Sequence, residues 1–397
     1  MNYFKVNKKK LTFYLILIIA AFPDFLNYKI AYVFYLFVFI INIELFIKKI
    51  PEYFTVPLPL VFFFCWLYGA LIGLYNGYGF DALNNFFGLS LLLTTYILIC
   101  RRFTIQDIAI IVIYAGISQA LYQLVHIVIL IIEGTNIVNY FIQDSIMGIA
   151  DYRINYSVGI IFTIAAFNLL TILKENFSDD LLLKYVIRNK WIIGIFLLIA
   201  ILITGSKGTY AAIAFTLLIR YLIYNFNPVK FLLRTTLLFV IAMALRGSFI
   251  ENVLNTSFDK SEVNNVVREE QSQLIMNEWT FFGKGLGAPL SSGFTRGSTK
   301  YGMELTYHSI IHKLGYIIGG FLIICLFFLY VKSIVRFWRK SNISDAVAFS
   351  LMACLIPAYG NPSLFSPYSV IAICIAMYCL KIDTYTKKPK HFEVGYQ

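Results

Sequence analysis

The sequence predicts an all-α fold, a polytopic integral membrane helical bundle of about 12 transmembrane helices with one large loop on one side. Three observations predict it. Of the 397 residues, 59% are hydrophobic and only 14% are charged, whereas soluble domains carry roughly a quarter charged residues. Apolar stretches of span length follow one another along the chain, and a bilayer demands roughly 20 such residues per helix because only a closed backbone hydrogen-bond pattern survives in hydrocarbon. The basic residues, finally, collect at the ends of these stretches. A net charge of +12 therefore reports membrane topology and not affinity for nucleic acid.

The expected helices cover residues 11–27, 30–47, 57–75, 82–100, 107–132, 156–173, 190–204, 208–225, 230–246, 314–335, 345–360 and 365–381, in one membrane domain over 1–397. Lys8, Lys9 and Lys10 precede the first apolar run as in a signal peptide, and Ala20 and Ala21 favour cleavage. The run continues through Phe22, Phe25 and Leu26 without a small-x-small site, so we read an uncleaved first span. A turn at Pro23 and Asp24 leads into the second. All six cysteines fall within or at the edges of apolar segments with no CxxC, so neither a disulfide framework nor a zinc site is expected.

Lys and Arg favour short cytoplasmic loops. With the N-terminus inside, 23 of the 33 basic residues face the cytoplasm, which puts both termini there. The ten left outside are Lys29, Arg153, Lys207, Arg246, Lys260, Arg268, Lys284, Arg296, Lys300 and Lys313. One outside loop dominates, 247–304, between the ninth and tenth helices, and long loops are commonly functional. Val263, Val266, Val267, Leu274, Ile275 and Trp279 recur in it at helical spacing, predicting an amphipathic helix over 262–279 against the membrane surface. The following FFGKGLGAPLSSGFTRGSTKYG cannot be a regular element. The loop carries a net charge of −2, so any anion binding must come from individually placed cations.

Several polar residues have structural explanations. Glu44 lies four residues before Lys48, a helical ion pair. Arg234 is near enough to the end of its helix to snorkel. Gln119, Gln123 and His126 share one helix face, which reads as interhelical hydrogen bonding or as a wet cavity. Lys207 sits in the tight turn ITGSKGTY at the start of the eighth helix. There, free backbone N–H groups, Gly208 and the lysine charge make an anion site, or the lysine is simply solvated while Gly208 packs helices. His308 and His312 are one helical turn apart, with Glu304 the nearest carboxylate in sequence. No HExxH accompanies them, so proton transfer suits them better than metal binding.

Taken in order, SKG at 206–208, Arg268 followed by FFGKGLG, and the His308-Ser309 pair separated by nine residues from Gly319 resemble the O-antigen ligase and O-antigen polymerase superfamily. The resemblance covers topology over the whole chain and motifs over about 204–320. Leu322 stands where that family usually has Gly, Thr or Tyr, and Lys207 where it usually has Arg, which removes the planar fork that grips phosphate. The resemblance implies a type-C-like membrane glycosyltransferase architecture with the active face and large loop in the periplasm of a bacterial inner membrane. Its substrate would be a polyprenyl-diphosphate-linked oligosaccharide. Lys207 and Arg268 would hold the diphosphate, joined by Arg153 at the mouth of the sixth helix. His308 would be the catalytic base, with Arg268 also catalytic and Gly208, Glu304 and His312 in support. No metal or other cofactor is implied. Its partners would be membrane lipids, a flippase and a chain-length regulator.

The chemistry is coherent with the residues. A sugar linked through its anomeric carbon to diphosphate is already activated, so the site needs cations for the leaving group and a base for the attacking hydroxyl. The imperfect histidine motif and Glu304 ahead of it favour a polymerase over a ligase that transfers polymer to lipid A–core. A transporter or flippase for lipid-linked sugar would show paired broken helices or an internal repeat, and the sequence shows neither.

Overall fold

A computed structural model of the chain describes residues 7–21, 28–48, 57–132, 160–170, 173, 181–203, 207–223, 227–244, 263–294, 303, 305–340, 342–360, 364 and 367–381. All regular structure among them is helical. In chain order the helices are α1 (Lys8–Ala21), α2 (Tyr28–Lys48), α3 (Pro57–Tyr75), α4 (Gly79–Arg102), α5 (Ile105–Ile132), α6 (Ile160–Leu170), α7 (Leu181–Arg188), α8 (Lys190–Ile203), α9 (Lys207–Ile223), α10 (Pro228–Ala244), α11 (Val263–Asn277), α12 (Thr306–Lys340), α13 (Ile343–Met352) and α14 (Pro367–Lys381). Two single 3₁₀ turns, Ala353–Leu355 and Pro357–Tyr359, stand between α13 and α14. Three described helices are long and apolar enough to cross a membrane, over Leu58–Tyr75, Ile105–Val125 and Thr306–Arg339. Shorter apolar stretches among the described residues are Val33–Ile47, Ile161–Leu170, Lys190–Leu202, Gly208–Ile223, Ile343–Tyr359 and Ser369–Lys381.

Small residues and buried amides hold the bundle together. A Cβ on Gly116 of α5 would lie 2.5 Å from both Ala166 Cβ and Phe162 O of α6, so the two backbones meet directly, as small residues permit. One turn along, the Gln119 side chain donates to the Ala20 carbonyl of α1 and accepts from the Thr163 hydroxyl of α6 at 3.2 Å. The first member of the polar stripe is thus an interhelical hydrogen-bonding residue; the side chain of His126 lies outside the described residues. α13 and α14 are buried along most of their length, while α2, α8, α10 and α12 turn Phe37, Ile40, Ile192, Ile195, Leu232, Leu233, Phe321 and Phe328 outward. A water-facing helix carries polar residues there.

Charges gather at one end of α1, α2 and α5. Glu44 pairs with Lys8 across two helices at 3.3 Å, whereas the side chain of Lys48, its expected partner, is outside the described residues. Lys9 reaches Asp107 at 2.7 Å. Arg234 donates to the Tyr221 carbonyl at 2.7 Å and lies over the Tyr221 ring. More consequential is the ion pair of Arg336 Nε with Asp345 Oδ1 at 2.7 Å, where the aspartate is fully buried. Removing one partner of a buried pair leaves the other charge uncompensated, at a cost of about 3–5 kcal/mol. Asp345→Ala should therefore lower the melting temperature in detergent sharply, and Asp345→Leu combined with Arg336→Met should recover most of the loss.

Three helices depart from the sequence expectation: α7 forms over Leu181–Arg188, where none was expected, and two others are interrupted. The helix expected over 345–360 ends at Met352 and gives way to the 3₁₀ turns, because Pro357 cannot donate into a helical ladder. The helix expected from 314 begins at Thr306 and is broken at Gly315 (φ 80, ψ 171). There the chain folds back: a Cβ on Gly319 would sit 2.9 Å from Ile310 O and 3.0 Å from Ile311 Cα. In an unbroken helix residues nine apart stand roughly 13 Å apart along the axis. The glycine separated by nine residues from His308-Ser309 thus lets the second arm of α12 lie against the first. The helices are broken at both places, where the sequence reading finds no paired broken helices.

Candidate active site

The glycine-rich segment after α11 positions the site, as an extended strap laid into the bundle. Lys284 N donates to His312 O (2.8 Å), Gly285 N to Lys313 O (2.9 Å) and Leu286 N to Gly69 O of α3 (2.8 Å). The break at Gly315 is what frees the α12 carbonyls, and Tyr316 N takes Thr280 O in return at 3.3 Å. From α3, Tyr68 donates to Phe282 O (2.8 Å) and Asn76 to Lys284 O (2.9 Å). Gly285, at φ 92, presses on Gly73: a Cβ there would stand 2.2 Å from Gly73 N and 2.4 Å from Gly73 Cα. Leu286 is buried in the core.

The strap anchors α11 over the first arm of α12. Arg268, Gln271, Ser272 and Ile275 follow at i, i+3, i+4 and i+7, and Gln271 and Ile275 are fully buried. Val266, expected on the apolar face, is instead 48% exposed. A functional helix here turns part of its polar set inward. Ser272 Oγ is 3.2 Å from His308 Nε2. The Trp279 ring stacks on the His308 imidazole at 5.7 Å, and its indole N–H donates to His308 O at 3.3 Å. The carboxylate beside a histidine is Glu278, with Oε2 3.4 Å from buried His312 Nε2 and Oε1 accepting from Ser291 N at 2.7 Å. Glu304, given that supporting role from sequence, lies outside the described residues, as does Arg153.

The turn at 357–360 brings the remaining residues together. A Cβ on Gly208, in the first turn of α9, would be 3.2 Å from Pro357 Cα. One on Gly360 would be 3.6 Å from Arg268 Nε and 3.7 Å from its Cζ. The Tyr359 ring lies 6.3 Å from the His308 ring, edge to face. The start of α9, Arg268 and His308 thus border one four-residue turn, although they are far apart in sequence. Lys207 is the first residue of α9, its side chain outside the described residues. Sequence reasoning missed Ser272, Glu278, Tyr359 and Gly360; the only signal for the last two was Pro357 and Gly360 within an otherwise apolar run.

The arrangement offers a guanidinium, an imidazole, a helix N-terminus and exposed aromatic surface in one place. Such a set can bind an anion through Arg268 and the N–H groups at the start of α9 and move a proton through His308. A shallow, open apolar depression is lined by Ala214, Phe215, Leu217, Leu218 and Tyr221 of α9. Among the described residues no group of three or more His, Cys, Asp and Glu is arranged to hold a metal ion. No model of a known protein family matches the chain, and no curated protein matches its sequence.

Proposed function

We propose that the protein is a multi-pass membrane glycosyltransferase, an O-antigen or related surface-polysaccharide polymerase working at the periplasmic face of a bacterial inner membrane. The observation that carries this reading is the meeting of the α9 start, Arg268 and His308 at the 357–360 turn. These are the residues that a transfer from polyprenyl diphosphate requires. The outward apolar faces of α2, α8, α10 and α12 support a bundle immersed in lipid.

In the reaction His308 takes the proton of an acceptor sugar hydroxyl, and that oxygen attacks the anomeric carbon of the glycan on its carrier. The bond from the anomeric carbon to the diphosphate oxygen breaks, and the leaving diphosphate keeps the electron pair. Arg268, with Lys207 and the α9 N–H groups, stabilises the charge that develops there. The acceptor is a carrier-linked repeat unit, and the product is a longer glycan on that carrier.

The breaks in α12 and after α13 are the one feature that favours a second reading, a lipid-linked sugar carrier. Transporters place such breaks in corresponding halves of a repeat, whereas these two lie in successive helices and border the site. Deletion of the gene separates the readings by gel banding of the surface glycan. A single repeat unit on the lipid anchor identifies a lost polymerase. Bare anchor with carrier-linked polymer accumulating outside identifies a lost ligase, and bare anchor with repeat units trapped on the cytoplasmic face identifies a lost carrier.

A further inference from the structure

Tyr359 extends the glycosyltransferase reading, and rests on it, by indicating how the site takes its sugar. Its neighbours Pro357 and Ala358 are buried, yet Tyr359 is 62% exposed. Its backbone is held: Tyr359 N donates to Ile356 O and Gly360 N to Pro357 O. The ring stands beside the His308 imidazole, which Trp279 covers by stacking. Because residue 360 has no side chain, the Arg268 guanidinium comes against the backbone next to the tyrosine. An exposed aromatic ring thus stands beside the base, in the residue next to the one that meets the cation.

We propose that Tyr359 is a sugar platform. A pyranose has an apolar C–H face and a polar rim, and tyrosine has an apolar ring and a polar tip, so the two match over one contact. Stacked on Tyr359, the sugar lies with a hydroxyl toward His308 and its diphosphate side toward Arg268. A phenol cannot neutralise a diphosphate, which argues against a direct role in anion binding. A tyrosine that merely anchors in lipid headgroups would not need an imidazole and a guanidinium as neighbours.

The test uses the full-length protein in proteoliposomes and, as probe, the carrier-linked repeat unit extracted from the deletion strain, with initial rates measured against its concentration. Tyr359→Ala should raise KM roughly 5–20-fold, a larger change than in kcat. Tyr359→Trp and Tyr359→Phe should recover most of the affinity, while Tyr359→Leu, which keeps bulk without a π face, should not. An unchanged KM in Tyr359→Ala, or equal losses in the Ala and Phe variants, overturns the platform. His308→Ala in the same assay separates the two levels. If it is inactive while Tyr359→Ala keeps its affinity, the platform alone falls; if His308→Ala retains full rate, His308 is not the base and the platform beside it falls too; if the wild-type protein transfers no sugar, the transferase reading itself falls.

Discussion

Long-chain surface polysaccharide is expected to disappear in His308→Ala and in Arg268→Ala, with each variant present in the membrane at its normal level. A positioned general base contributes typically 10²–10⁴ in rate, and removal of one donor to a developing negative charge costs about 10²–10³. Either loss leaves too few transfers per carrier to build a long chain. Folding should survive both changes. His308 holds its place through Ser272 and Trp279, contacts of about 1 kcal/mol each, and Arg268 is only half-buried. Arg268→Lys keeps the charge but not the planar fork, so it should restore chains only in part. Full-length polymer in both alanine variants would remove these residues from the chemistry. Wild-type melting temperatures in detergent are the control.

The largest effect on the fold is expected from Gly285→Ala. A methyl group there meets the backbone of Gly73 at 2.2 Å, and neither chain can yield without losing the hydrogen bonds of Gly285 and Leu286. Strained backbone costs about 1–3 kcal/mol and overpacking about 1–3 kcal/mol more, against a total stability of about 5–15 kcal/mol. The variant should fall to a small fraction of the normal membrane level. Gly293→Ala is the matched comparison: its φ is also positive, at 70, but nothing lies within 4 Å of the added carbon. It should pay only the backbone term. Equal levels of the two variants would mean that the strap is not packed on α3 as described.

How much of this could be read from sequence depended on the range of the interactions involved. The all-helical class follows from long apolar runs, a local property, and so does the position of α3 over 57–75. The strap escaped because FFGKGLG has no period of its own, and its partners Gly69 and Gly73 look like ordinary helix-packing glycines. Only the three-dimensional pairing explains either set. The nine residues between Ser309 and Gly319 were visible as a pattern, but their cause, the reversal at Gly315, was not. The end of α13 was hidden by an apolar run that continues to Tyr359. Glu278 was overlooked because Glu304 is nearer to the histidines in sequence, whereas the strap brings Glu278 beside His312 in space.

The strap also sets the order in which the molecule can be completed. Asn76 on α3 waits 208 residues for its partner carbonyl at Lys284, and Tyr68 waits 214 for Phe282. At about 5–20 residues per second, roughly 10–40 s pass during synthesis with the glycine face of α3 uncovered. Of the residues that make the site, the α9 start and Arg268 are already made when that face is filled, whereas His308 and the 357–360 turn are added after it. Emergence of the last third of the chain is therefore the step at which the nascent protein either closes on itself or stays open to quality-control proteases.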